Sequence, residues 1–101
     1  MKLLVKLGGT LLDTADSRRR LANEIAGLVE QGHRVVVVHG GGKQLTRYLA
    51  ERGVETRFEG GLRVTTPETL DAVVKILAGQ VNTELVATLG RAGARVMVTS
   101  T

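Results

Sequence analysis

Val35-Val36-Val37-Val38-His39-Gly40-Gly41-Gly42-Lys43 is the stretch whose reading decides the fold of this chain. Four consecutive β-branched residues form a buried strand. Three glycines end it, and helical periodicity begins directly after them. A buried strand that runs into a glycine turn opening a helix is a common anion site. Backbone N–H groups point outward there, and the helix N-terminus carries roughly +0.5 of an elementary charge.

Upstream of this stretch, residues 2–7 (Lys-Leu-Leu-Val-Lys-Leu) read as another strand, and Gly8-Gly9-Thr10 turn the chain. The segment between predicts a helix over residues 18–31, capped by Asp16 or Ser17. Its Leu21, Ile25, Leu28 and Val29 follow the i, i+4, i+7, i+8 spacing of one buried stripe. Gly32 stands where that helix should stop. Strand, helix and strand make a βαβ unit, whose crossover is right-handed and whose strands are parallel. Both strands then end in glycines at one edge of the sheet, the edge at which open α/β sheets bind ligands.

Downstream, a helix is predicted over residues 43–52, with Leu45, Tyr48 and Leu49 facing the sheet and Gly53 ending it. Thr56–Glu59 and Leu62–Val64 read as a short hairpin turned by Gly60-Gly61, whose φ > 0 conformations suit such a turn. Thr66 followed by Pro67 and Glu68 marks a strong helix start. That helix carries an apolar stripe of Leu70, Val73, Val74, Leu77, Val81, Leu85 and Leu89, with a bend expected at Gly79 and an end at Gly90 or Gly93. Residues 95–98 read as a last strand.

Composition narrows the function classes. The chain has 101 residues, enough for a single domain; 43% are hydrophobic and 24% charged, as in ordinary globular proteins. Tyr48 and Phe58 are the only aromatics, so the core is aliphatic. With no cysteine and two histidines, disulfides and thiolate metal sites are excluded, which fits a reducing compartment. Neither a signal peptide nor a membrane segment is read in the sequence. The net charge of +4 raises nucleic acid as a partner. However, Arg18-Arg19-Arg20 is the only basic run, aromatics for base stacking are scarce, and no nucleic-acid-binding motif appears. The charge fits an anionic small molecule at least as well.

Three familiar readings of the central glycines fail. A Walker A loop needs Ser or Thr after Gly42-Lys43, where Gln44 stands, and a first glycine where Val37 stands. A dinucleotide fingerprint needs a glycine in place of Leu45. His-Gly-Gly-Gly also occurs as a hydrolase oxyanion motif, but neither Ser17 nor Ser100 lies in a Gly-x-Ser-x-Gly nucleophile elbow. Phosphate or carboxylate recognition without a Walker loop remains. Lys6, two residues before Gly8 in an aliphatic strand, is either the cation for that anion or an edge-strand lysine that reaches to water. Arg63 in the hairpin either grips a carboxylate bidentately or forms a surface pair with Glu59 worth no more than about 1 kcal/mol; taken alone, the surface pair is favoured.

Four motifs occur in fixed order: Lys6-Leu-Gly-Gly9, His39-Gly-Gly-Gly42, Gly61-Leu-Arg-Val-Thr65 and Leu77-Ala-Gly-Gln-Val-Asn82. Through them residues 2–94 resemble the acetylglutamate kinases, the arginine-pathway branch of the amino-acid kinase family. The resemblance implies an α/β fold, a three-layer αβα sandwich with a mainly parallel sheet and a β-hairpin lid. It implies ATP-dependent phosphorylation of the γ-carboxylate of N-acetyl-L-glutamate with Mg²⁺, in the cytoplasm, without nucleic acid or membrane as partner. Lys6 would be catalytic, stabilising charge on the phosphoryl group in transit. Gly8 and Gly9 would contact the ATP phosphates, and Gly41 and Gly42 the substrate and phosphoryl oxygens. Arg63 would hold the substrate α-carboxylate, which reverses the preference for a surface pair. A homodimer or higher homo-oligomer would form through the helix at about residues 67–90.

Family members are more than twice as long, and their second half supplies adenine and ribose binding, a second lysine, an aspartate and an asparagine with no counterpart here. Thr83 also replaces a usual basic residue, and Lys43 a frequent proline. The expectation is therefore one truncated N-terminal domain over residues 1–101, inactive alone. Alternatives are a related carboxylate kinase, such as one acting on carrier-linked aminoadipate, and a non-catalytic α/β anion-binding or dimerisation module.

Overall fold

A computed structural model describes residues 1–100. Strand β1 (Lys2–Leu7) leads through a 3₁₀ turn (Gly9–Leu12) to helix α1 (Ala15–Glu30), and β2 (Arg34–His39) leads to α2 (Gly42–Glu51). The hairpin β3 (Phe58–Glu59) and β4 (Leu62–Arg63) follows. One long helix comes next, made of α3 (Pro67–Val73), a π-helical segment (Val74–Val81) and α4 (Asn82–Arg91); β5 (Met97–Ser100) closes the order.

The start of α1 lies three residues before the predicted one because Thr14, not Asp16 or Ser17, is the cap: its Oγ1 accepts from the Ser17 N–H at 3.1 Å. Thr66 caps α3 as expected, accepting from the Thr69 N–H at 3.2 Å with Pro67 in the first turn. The β3–β4 pairing is shorter than predicted, two residues a side, and Gly60 and Gly61 turn it at φ of +58° and +81°. Strand β5 begins two residues late. Gly93, at φ +81°, lets the chain fold back so that the Ala94 N–H donates to the Leu89 carbonyl at 2.9 Å. Buried Ala94 is thereby held against the helix end, and pairing starts only at Met97.

The main sheet is parallel throughout, in the order β1-β2-β5, with Leu7 beside His39 and His39 beside Ser100. Both crossovers step across the sheet in the same direction. Right-handed connections then place every helix on one face. Burial agrees: Leu7, Val35, Val37 and His39 lie in the core with Ala22, Ile25, Leu45, Leu49, Ile76, Leu85 and Leu89. On the opposite face Lys2, Leu4, Lys6, Met97 and Thr99 are exposed, and Val36 and Val38 half-buried. The α/β class and its parallel sheet stand. Of the sandwich's three layers, the described residues build the sheet and one helical layer.

Around Gly79 the long helix widens, and the buried positions record the extra residue: Thr69, Ala72 and Ile76, a step of five to Val81, then Leu85, Thr88 and Leu89. This step corrects the expected stripe. Its N-terminal part is one residue out of phase, so Leu70 and Val74 are exposed. By length and composition alone Pro67–Arg91 would be able to cross a membrane. Its buried side, however, is part of the core.

Candidate functional site

The two glycine turns lie together at the carboxyl edge of the sheet. The Gly40 N–H donates to the Leu7 carbonyl at 3.0 Å, which fixes one turn against the strand that feeds the other. Asp13, just after the Gly9–Leu12 turn, adds a second tie. It accepts from Arg47 Nη2 at 3.0 Å and lies 3.5 Å from Lys43 Nζ, both on α2. The hydrogen bond from Arg47, with the Arg47 and Lys43 charges, holds the Asp13 carboxyl below the usual carboxylate range despite partial desolvation. A lowered folded pKa means that the tie is fully present above the unfolded carboxylate value and is lost as pH falls through the folded one. Asp13→Asn is therefore expected to lower the urea midpoint at pH 7, with the gap to wild type closing as pH falls below the carboxylate range. An equal gap at both pH values would remove the ion pairs as its cause.

Arg63 reaches back from the hairpin to the first turn of α2. Its Nη2 donates to Thr46 Oγ1 at 2.9 Å and to the Gly42 carbonyl at 3.4 Å, while the guanidinium lies 4.7 Å above the Phe58 ring. The alternative surface pair with Glu59 does not form among the described residues. Nη1 is buried without a hydrogen-bond partner there, and desolvation pushes the Arg63 pKa down. A buried cationic donor without an acceptor is unfavourable, and an anion would relieve it. Beside it opens a cavity of about 470 Å³ lined by Gly42, Lys43, Thr46, Arg47, Phe58 and Arg63. Arg63 and the N-terminus of α2 border this open, largely apolar groove, while the Lys43 and Arg47 head groups are engaged by Asp13.

The other predicted residues occupy different environments. Gly42 opens α2 with free space where a Cβ would stand, and Gly8 is likewise open. Gly9 begins the 3₁₀ turn. Gly41 differs from these: it is buried at φ +156°, and an added Cβ would lie 2.4 Å from Leu77 and 3.4 Å from Val81. Its positive φ disfavours a side chain, and the end of Leu77 would have to move to admit one. Lys6 lies on edge strand β1, on the bare face of the sheet, one residue from the strand end. The structure thus brings Gly42 and Arg63 together and leaves Lys6 outside their hydrogen-bond network.

Sequence reading alone did not single out Asp13, Thr46 or the His39–Asn82 pair. His39 is fully buried, with Nε2 2.9 Å from Asn82 Oδ1 and Nδ1 2.8 Å from the Gly40 carbonyl. Two polar residues forty-three positions apart carry no local signal, although a histidine closing a buried valine strand invites a search for its partner. No group of three His, Cys, Asp or Glu side chains able to hold a metal occurs among the described residues.

Residues 1–99 match the model of the amino acid kinase family. The chain belongs to that family. An acetylglutamate kinase of Solibacter usitatus is 68% identical over 94 residues, which are 93% of this chain and 37% of the relative. One of Acidobacterium capsulatum is 48% identical over 97 residues, 96% of this chain and 37% of that relative. Among solved structures, N-acetylglutamate synthase from Neisseria gonorrhoeae, complexed with coenzyme A and N-acetyl-glutamate, superposes with a TM-score of 0.77 at 31% identity. The match covers 90% of this chain and 21% of that one. This amino acid kinase family chain spans little more than a third of the length of the curated relatives it matches.

Proposed function

We propose that the chain is the carboxylate-binding part of an acetylglutamate kinase, a cytoplasmic enzyme of arginine biosynthesis. In the reaction a γ-carboxylate oxygen of N-acetyl-L-glutamate attacks the γ-phosphorus of ATP, ADP leaves, and an acyl phosphate forms. The observation that carries this reading is the Arg63 guanidinium held over the first turn of α2, with Nη1 buried and unpartnered. Such a fork suits a carboxylate held bidentately.

Arg63 holds the substrate α-carboxylate, and the N–H groups of Gly41 and Gly42 bind the reacting oxygens. Gly8 and Gly9 contact the ATP phosphates, and Lys6 offsets charge on the phosphoryl group in transit. Mg²⁺ supplies further neutralisation when bound with ATP. Phosphoryl transfer asks the protein for positioning and charge more than for covalent chemistry, and these residues provide both. Leu70 and Val74, exposed on the long helix, support association of two copies through it.

Calorimetry with N-acetyl-L-glutamate, N-acetyl-L-aspartate and inorganic phosphate tests the reading. Preference for acetylglutamate is expected; equal binding of phosphate alone would leave a general anion module. With Mg-ATP, acetylglutamate and hydroxylamine to trap acyl phosphate, the chain alone is expected to show no appreciable turnover. Rates like those of a complete enzyme would overturn its assignment as one part of the catalyst.

A further inference from the structure

We propose that His39 and Asn82 are positioning residues that set the direction of the Gly41 N–H. The argument begins with the planar peptide. In a trans peptide the carbonyl and the following N–H point to opposite sides, so fixing one aims the other. The Gly40 carbonyl and the Gly41 N–H share such a unit, and no cis peptide occurs among the described residues. His39 Nδ1 lies 2.8 Å from that carbonyl, at a ring with no exposed surface. A carbonyl only accepts, so Nδ1 carries the proton. Nε2 lies 2.9 Å from the Asn82 side-chain amide, which can meet either a proton or a lone pair there because its two ends are assigned by their hydrogen bonds.

Asn82 is the first residue of α4, directly after Val81, which closes the π-helical segment. Val81 and Leu77 fill the space beside Gly41. The turn is thus held from one stretch of helix in two ways: by hydrogen bonds through His39 and by close packing at Gly41. Together they keep the Gly40–Gly41 peptide from flipping. A flipped peptide would present a carbonyl oxygen, not an N–H, to an anion. The orienting role concerns the anion site of the proposed function and rests on that reading; the clamp itself stands apart from it.

The experiment combines ring ¹⁵N spectroscopy with titration of the 101-residue chain. Wild-type His39 is expected to carry a proton at Nδ1. An Nε2–H tautomer would overturn the clamp without any variant being made. His39→Leu is expected to weaken N-acetylglutamate binding by about 10-fold or more. It should also abolish the phosphate-induced shifts of the Gly41 and Gly42 amide resonances, while those of Val35–Val38 stay in place. His39→Gln keeps a donor for the Gly40 carbonyl and is expected to recover much of the loss; equal losses in the two variants would reduce His39 to core filling. If wild type binds neither acetylglutamate nor phosphate, the proposed function fails, and the tautomer still decides the clamp.

Discussion

Arg63→Ala is expected to weaken N-acetylglutamate binding by about 2–5 kcal/mol, the range for removing one partner of a buried, hydrogen-bonded charge pair. The guanidinium is already oriented: Thr46 Oγ1 and the Gly42 carbonyl hold Nη2, and the Phe58 ring lies under the plane. Little ordering cost therefore remains when a carboxylate arrives, although Nη1, with no accessible surface, must be uncovered before it can pair. Arg63→Lys separates charge from geometry, because an ammonium keeps the charge and loses the planar fork. It should recover only part of the affinity. Calorimetry on wild type and both variants, with urea midpoints as a folding control, measures this. Unchanged affinity in the alanine variant would return Arg63 to a purely structural tether between hairpin and α2.

The second large effect falls on stability. Gly41→Ala forces a side chain into a backbone conformation that disfavours one, at about 1–3 kcal/mol. The new Cβ would also lie 2.4 Å from Leu77 Cδ2, the end of a flexible side chain that can move aside at small cost, and 3.4 Å from Val81. Against an ordinary domain stability of about 5–15 kcal/mol, the backbone cost alone is a sizeable loss. Gly42→Ala, one residue on, provides the contrast. Nothing lies within 4 Å of its added Cβ and α2 has begun there, so stability should change by no more than about 1 kcal/mol. Its methyl group would nonetheless stand where backbone must approach a ligand, so binding should suffer. Urea unfolding separates the two glycines. A Gly41→Ala chain as stable as wild type would show that the turn is looser than its backbone geometry implies.

Much of the fold was legible because its signals are local. The valine run, the Thr66-Pro67 start and the Gly60-Gly61 turn each act over a few residues, and each element formed where it was expected. The misplaced features depend on competition or on distance. Thr14 outcompeted Asp16 and Ser17 as a cap because its hydroxyl reaches the Ser17 N–H. The widening of the long helix has no local signal, because it is set by fitting Ile76 and Val81 to the same core. Family resemblance gave Arg63 its role ahead of any geometry, and its reach to Gly42 and Thr46 supports that role. Asp13 and the His39–Asn82 pair were silent for another reason: their partners come together only once the chain has folded.

The bare face and short strands of the sheet also bear on how the chain keeps itself apart from its neighbours. With β2 in the middle, β1 and β5 are both edges among the described residues, each with one side of its backbone unpaired there. Strand β1 carries Lys2 and Lys6, whose charges oppose the stacking of another strand. Strand β5, Met-Val-Thr-Ser, carries no charge and no proline, and Met97 is 69% exposed. Unwanted strand addition at high concentration should therefore begin at β5. Lys6, whatever it does for a phosphate, already guards the other border.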